Sequence, residues 1–179
     1  MFTGMWSEFE LFFTTGLPSY ILYPSLTLTF VAIIVGTCFD VIKIRKSFVL
    51  WILLAEYLFV VVSSTVIFRS QITNARWELM PFWTYVAVLE HIKGVSVWDI
   101  VLNVALFMPL GFLLKLLHPR ISFWKMLLIG MICSFCIEVL QNIFSKGISQ
   151  FDDIMHNTVG CALGWLLAKS IILYNKSEK

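Results

Sequence analysis

Charged residues are scarce in this chain of 179 residues: they make up 13% of it, whereas soluble domains carry about 25%. Hydrophobic residues make up 59%, in runs of the ~20 residues that an α-helix needs to cross a bilayer. This excludes an ordinary soluble domain, and the net charge of +2 gives no reason to expect a nucleic-acid partner. We therefore predict an all-α protein, a polytopic integral membrane helical bundle.

Motifs of the common catalytic sites are absent too. The sequence has no H-E-x-x-H of zinc enzymes, no G-x-S-x-G of serine hydrolases and no glycine-rich phosphate loop. Cys133 and Cys136 form a C-x-x-C pair inside an apolar run, where sulfur packs well, so packing is favoured over redox chemistry. We predict no metal and no cofactor, and whether the chain is an enzyme stays open.

Hydropathy predicts five membrane spans, at residues 17–39, 48–68, 100–117, 122–144 and 154–174. Residues 79–91 are aromatic and amphipathic, but their apolar part is too short to cross, so we predict an interfacial or re-entrant helix there. The chain then divides into a two-span region (1–69), a region with the interfacial segment and three spans (70–174), and a tail (175–179).

Lysine and arginine are unevenly distributed between the two sides of the predicted bundle. The richer side carries Lys43, Arg45, Lys46, Lys115, Arg120, Lys125, Lys169, Lys176 and Lys179, and the poorer side carries Arg69, Arg76, Lys93 and Lys146. Because cytoplasmic loops carry an excess of these residues, the richer side is predicted to be cytoplasmic. The N-terminus is then outside and the C-terminus is in the cytoplasm.

Polar side chains of three spans fall at one depth on the predicted outer side. They are Asn103, Glu138, Gln141, Asp152, Asp153, His156 and Asn157. Since intramembrane polar groups face the bundle interior, we predict that they form one outward binding cluster, with Asp152 and His156 at its rim. Two structural interpretations stay open: helix capping by the two aspartates, and a Glu138–Gln141–Asn157 network that only joins helices.

Small residues and a proline predict how these spans pack. Gly160 and Gly164 share one face of the last span with Asp153 and Asn157, and small residues let another helix come close. Pro109, with Gly111 nearby, predicts a kink in the third span.

Three ordered blocks, DIVLNVALFMPLGFLL, IEVLQNIF and FDDIMHNTVGCALGW, resemble the VanZ-like family of membrane proteins. The matching residues are Asn103, Leu106, Phe107, Pro109, Gly111, Ile137, Glu138, Gln141, Asp152, Asp153, Asn157, Thr158 and Gly160, and the segment Leu79 to Phe82 resembles a shorter block. The resemblance covers roughly residues 70–170. Gly147, beside Lys146, stands where many members have arginine, and Gln150 stands where many have an extra acidic residue.

The resemblance implies resistance of a Gram-positive bacterium to lipid-tailed glycopeptide antibiotics of the teicoplanin type, with less effect on vancomycin. An outward cluster at the depth of membrane lipid headgroups would meet a lipid-linked cell-wall precursor or the lipoglycopeptide itself. Two alternatives stay open: a membrane enzyme that uses carboxylates as acid and base on lipid-linked or peptidoglycan substrates, and a structural scaffold. The sequence indicates neither the ligand nor the oligomeric state.

Overall fold

The computed structural model describes residues 46–92 and 95–177, which fall into two compact units divided between Ser70 and Gln71. The predicted first span, residues 17–39, lies outside the described residues. Within the described ranges, four helices are long and apolar enough to cross a membrane: Ser47–Ile67, Val97–Leu117, Phe123–Ile143 and Phe151–Tyr174. The prediction of a helical membrane protein is confirmed.

The first unit contains the helix α1 (Lys46–Val62), which continues as a π-helical segment (Ser63–Ile67). The hydroxyls of Ser64 and Thr65 both donate to the carbonyl of Val61, at 3.0 and 2.7 Å. Hydroxyls that bond back to the preceding turn distort a helix locally, and this bonding coincides with the change from α to π geometry.

The described residues of the second unit form two short strands and four helices. They are β1 (Trp77–Glu78), α2 (Trp83–Leu89), α3 (Val97–Leu117), α4 (Phe123–Ile143), β2 (Ser149–Gln150) and α5 (Phe151–Ser177). The strands pair in parallel, with Trp77 opposite Ser149. The short helix α2 lies where the sequence predicted an interfacial segment, and α3 is continuous through Pro109.

Helix α5 packs closely against α3 because glycines remove the side chains between them. A Cβ at Gly160 would overlap the carbonyl of Val104, and a Cβ at Gly164 would overlap the carbonyl of Met108. On α3, a Cβ at Gly111 would overlap the carbonyl of Cys161 on α5. This is the small-residue packing of membrane helices, and it fixes the position of α5 along α3.

The second unit has two chemically different ends. The polar end, where α3 and α5 begin and α4 ends, carries the described carboxylates of the unit: Glu78, Glu90, Asp99, Glu138, Asp152 and Asp153. The basic end, where α3 ends and α4 begins, carries Lys115, Arg120, Lys125 and Lys169. The predicted cluster residues all belong to the polar end.

Candidate functional site

Asp152 attaches helix α2 to the start of α5. Its side chain is 1% exposed, and its two carboxylate oxygens accept hydrogen bonds from the backbone N–H groups of Phe82 (2.7 Å) and Thr84 (2.8 Å). Phe82 precedes α2 in a left-handed conformation (φ 62°). Asp152 therefore caps α2, some seventy residues away in sequence, in addition to standing in the first turn of its own helix.

His156 lies one turn further along α5 and also contacts α2. The Tyr85 hydroxyl lies 3.0 Å from His156 Nε2, and the two rings meet edge to face with their centres 5.6 Å apart. His156 is 4% exposed, and its Nδ1 has no hydrogen-bond partner in the described part of the chain. Asp152 and His156, which the sequence predicted at the rim of the cluster, are both buried by contacts with α2.

Glu138 joins α4 to the segment that leads into α5. One of its carboxylate oxygens accepts from the backbone N–H of Gln150 (2.9 Å), and its backbone carbonyl accepts from the Ser149 hydroxyl (2.8 Å). The side-chain carbonyl of Gln150 in turn accepts from the Thr84 hydroxyl (3.2 Å). Glu138 is 2% exposed, so this carboxylate acts within the protein as a connector between elements.

Asp153 and Asn103 form the more accessible part of the polar end. Asn103 Nδ2 on α3 donates to Asp153 Oδ1 at 2.6 Å, and both residues are partly exposed. A carboxylate and a carboxamide that are held together at the surface of a bundle can offer both acceptors and donors to a ligand.

Asn157 lies deeper, between α4 and α5, and Gln141 is a buried residue of α4. Asn157 Nδ2 donates to the Ser134 hydroxyl at 2.8 Å, while its Oδ1 has no hydrogen-bond partner among the described residues. Both side chains are 3% exposed. The Asn157 carboxamide therefore joins the two helices through one of its two polar groups.

Five contributors to this end were missed from the sequence: Thr84, Tyr85, Ser134, Ser149 and Gln150. Ser134 could have been found, because it precedes Glu138 and Gln141 at helical spacing on α4. The other four depend on contacts between segments far apart in sequence.

Among residues 46–92 and 95–177, no three His, Cys, Asp or Glu side chains are grouped so that they could hold a metal ion.

The fold and the polar end define a class, namely small helical membrane proteins in which a short helix is attached to the start of the last span. Comparison with known proteins places the chain within it: the VanZ/LLP1 family model matches residues 48–174, and the chain belongs to that family. Protein VanZ of Enterococcus faecium is 34% identical over 77 residues, a match that spans 43% of this chain and 44% of that protein, less than half of each. No solved structure matches the chain.

Proposed function

We propose that this protein lowers susceptibility to lipid-tailed glycopeptide antibiotics of the teicoplanin type. In this proposal the polar end faces the outside of the cell and engages a lipid-linked cell-wall precursor or the drug itself. Family membership supports the connection to glycopeptide resistance, and the arrangement of the polar end supports the class of ligand.

One observation carries the proposal: the partly exposed Asp153–Asn103 pair lies at the same end of the unit as an exposed apolar segment around α2. In that segment Leu79 is 65% exposed, Phe82 58% and Leu89 78%. Exposed apolar and aromatic side chains suit the membrane interface. A ligand with a polar head and a lipid tail needs these two kinds of surface side by side.

Exposure divides the polar residues into two groups. Asp152, Glu138 and Asn157 are buried and bond to other elements of the protein, which assigns them to holding the site together. Asp153 and Asn103 are partly exposed, and we assign to them the contact with the ligand head. The structural-scaffold alternative thus describes the first group well and leaves the second group for ligand binding.

We infer the outward orientation from the distribution of charge, since arginine and lysine crowd the basic end and favour the cytoplasm. Two residues of matched exposure test it in a cysteine-free background: Leu89 (78% exposed) near the polar end and Trp124 (76%) at the basic end. A membrane-impermeant maleimide added to intact cells should label Leu89→Cys and spare Trp124→Cys. The reverse pattern would contradict the orientation.

Binding to the purified protein in nanodiscs tests the proposal directly. Teicoplanin, a lipid-linked wall precursor and vancomycin would be titrated separately, and at least one of the two lipid-tailed molecules should saturate the protein while vancomycin should not. Asp153→Asn keeps an oxygen that accepts from Asn103 and removes only the charge. A lost charged hydrogen bond of about 1.5–3 kcal/mol should weaken binding roughly 10- to 150-fold, whereas absence of binding by both lipid-tailed molecules would refute the proposal.

The Tyr85–His156 pair keeps a second function open, a membrane enzyme that acts on lipid-linked substrates. An imidazole that is hydrogen-bonded through Nε2 to a phenol and has no described partner at its buried Nδ1 would act as a general acid or base only if α2 moved to admit the substrate. Turnover of a lipid-linked precursor by the wild type, lost in His156→Gln while binding persists, would favour this function. Binding without turnover would favour the non-enzymatic one.

A further inference from the structure

The basic end of the second unit contains a group of cations that the proposed function does not use. Lys115 is 7% exposed, and its Nζ donates to the carbonyl oxygens of Pro119 (2.6 Å) and Ile121 (3.3 Å). The same ammonium lies 4.8 Å from the centre of the Trp165 ring, and the ammonium of Lys169 lies 5.1 Å from it. Two lysines thus share one indole ring, each attracted by its π face.

The loop between α3 and α4 is fixed at this ring. Trp165 Nε1 donates to the carbonyl of Ile121 at 3.1 Å, and the Phe123 ring meets the Trp165 ring edge to face at 5.4 Å. Lys115 and Trp165 therefore hold the backbone on both sides of the exposed Arg120. The Arg120 guanidinium is carried on a backbone that is already ordered, which lowers the entropic cost of binding.

No described carboxylate of this unit balances these charges, since all of them belong to the polar end. Arg120, Lys125 and Lys169 are exposed, and we define these three as the basic surface. Like charges at one end of a membrane protein repel one another, and a bound anion relieves that repulsion. The charge pattern therefore favours a partner that is anionic.

We propose that the basic surface binds the headgroup of an anionic phospholipid. Trp124, next to Lys125, is 76% exposed, and tryptophan beside basic residues is typical of segments at the depth of lipid headgroups. The lipid phosphodiester accepts hydrogen bonds from the basic surface while its acyl chains lie along the apolar helix surface. Each such cation contributes roughly fivefold to affinity for an anionic membrane surface.

Native mass spectrometry of the full chain in neutral detergent tests this proposal. Phosphatidylglycerol and phosphatidylcholine with the same acyl chains would be titrated into the wild type, Arg120→Gln/Lys169→Gln and Arg76→Gln/Lys146→Gln. The last variant also loses two positive charges, but at the polar end, and so it controls for net charge. We expect the wild type to prefer phosphatidylglycerol, the basic-surface variant to bind it roughly 25-fold more weakly, and the control to stay within about twofold of the wild type.

Three results would overturn the proposal. One is equal binding of the two lipids by the wild type. Another is an equal loss of phosphatidylglycerol affinity in both double variants, which would show that the net charge of the protein matters and the position of the charges does not. The third is displacement of phosphatidylglycerol by inorganic phosphate at equal concentration, which would make the ligand a free anion. Added salt provides an independent measurement: phosphatidylglycerol binding by the wild type should weaken with ionic strength, and binding that is insensitive to salt would contradict the electrostatic basis.

Discussion

Replacing Asp152 by asparagine should loosen helix α2 while leaving the membrane bundle folded. The carboxylate accepts from two backbone amides, those of Phe82 and Thr84, whereas a carboxamide has one acceptor oxygen. One backbone N–H group then faces the NH₂ group of the asparagine and has no acceptor, which costs about 1–3 kcal/mol. Helix α2 has 7 residues and depends on tertiary contacts, because isolated helices this short are unstable in water. The cost should therefore appear as local opening.

Amide hydrogen exchange of the chain in nanodiscs measures that opening. The peptide that contains α2 should exchange roughly 5- to 150-fold faster in Asp152→Asn than in the wild type, as 1–3 kcal/mol implies. Asp153→Asn is the matched control, since Asp153 bonds to Asn103 on α3, and its α2 should exchange at the wild-type rate. If Asp152→Asn left α2 unchanged and loosened only the first turn of α5, Asp152 would be a cap of its own helix and the assigned role would be refuted.

Two further predictions concern the packing of the second unit. Gly164→Ala should lower the thermal unfolding midpoint sharply, because the added Cβ meets the backbone carbonyl of Met108 and overpacking costs about 1–3 kcal/mol or more. The control Leu163→Ala, at a 41% exposed position, should change the midpoint little. Equal midpoints of the two variants would contradict the close contact. Lys115→Met should destabilise the loop between α3 and α4 by about 1–3 kcal/mol through the loss of the hydrogen bonds to Pro119 and Ile121. A protease should then cleave that loop faster in Lys115→Met than in the control Lys125→Met. Identical cleavage of the two variants would contradict the stabilising role of Lys115.

The long helices were predictable because each is an apolar run of spanning length. Predicted spans at residues 100–117 and 122–144 became helices Val97–Leu117 and Phe123–Ile143. Helix α5 begins at Phe151, earlier than the predicted residue 154, because the hydropathy signal starts only after the polar residues of its first turn. Such a signal marks the apolar part of a helix and misses polar turns that tertiary contacts stabilise.

The polar end was predictable as a set of residues and not as a set of contacts. Helical spacing and span direction placed Asn103, Glu138 and Asp153 at the same end, but nothing in the sequence indicated that the Asp152 carboxylate would accept from the backbone of Phe82 and Thr84. Backbone donors have no side-chain signature. The pairing of β1 with β2 spans only two residues in each strand, too few for an alternating pattern to be visible.

The proposed function requires the charge of Asp153 at the polar end for protection against lipid-tailed glycopeptides. The most direct test is drug susceptibility of a sensitive Gram-positive host that expresses the wild type or Asp153→Asn at matched abundance, with teicoplanin and vancomycin compared side by side. We expect the wild type to protect against teicoplanin, with little effect on vancomycin, and Asp153→Asn to lose that protection. Equal teicoplanin protection by both chains, or none by the wild type, would contradict it.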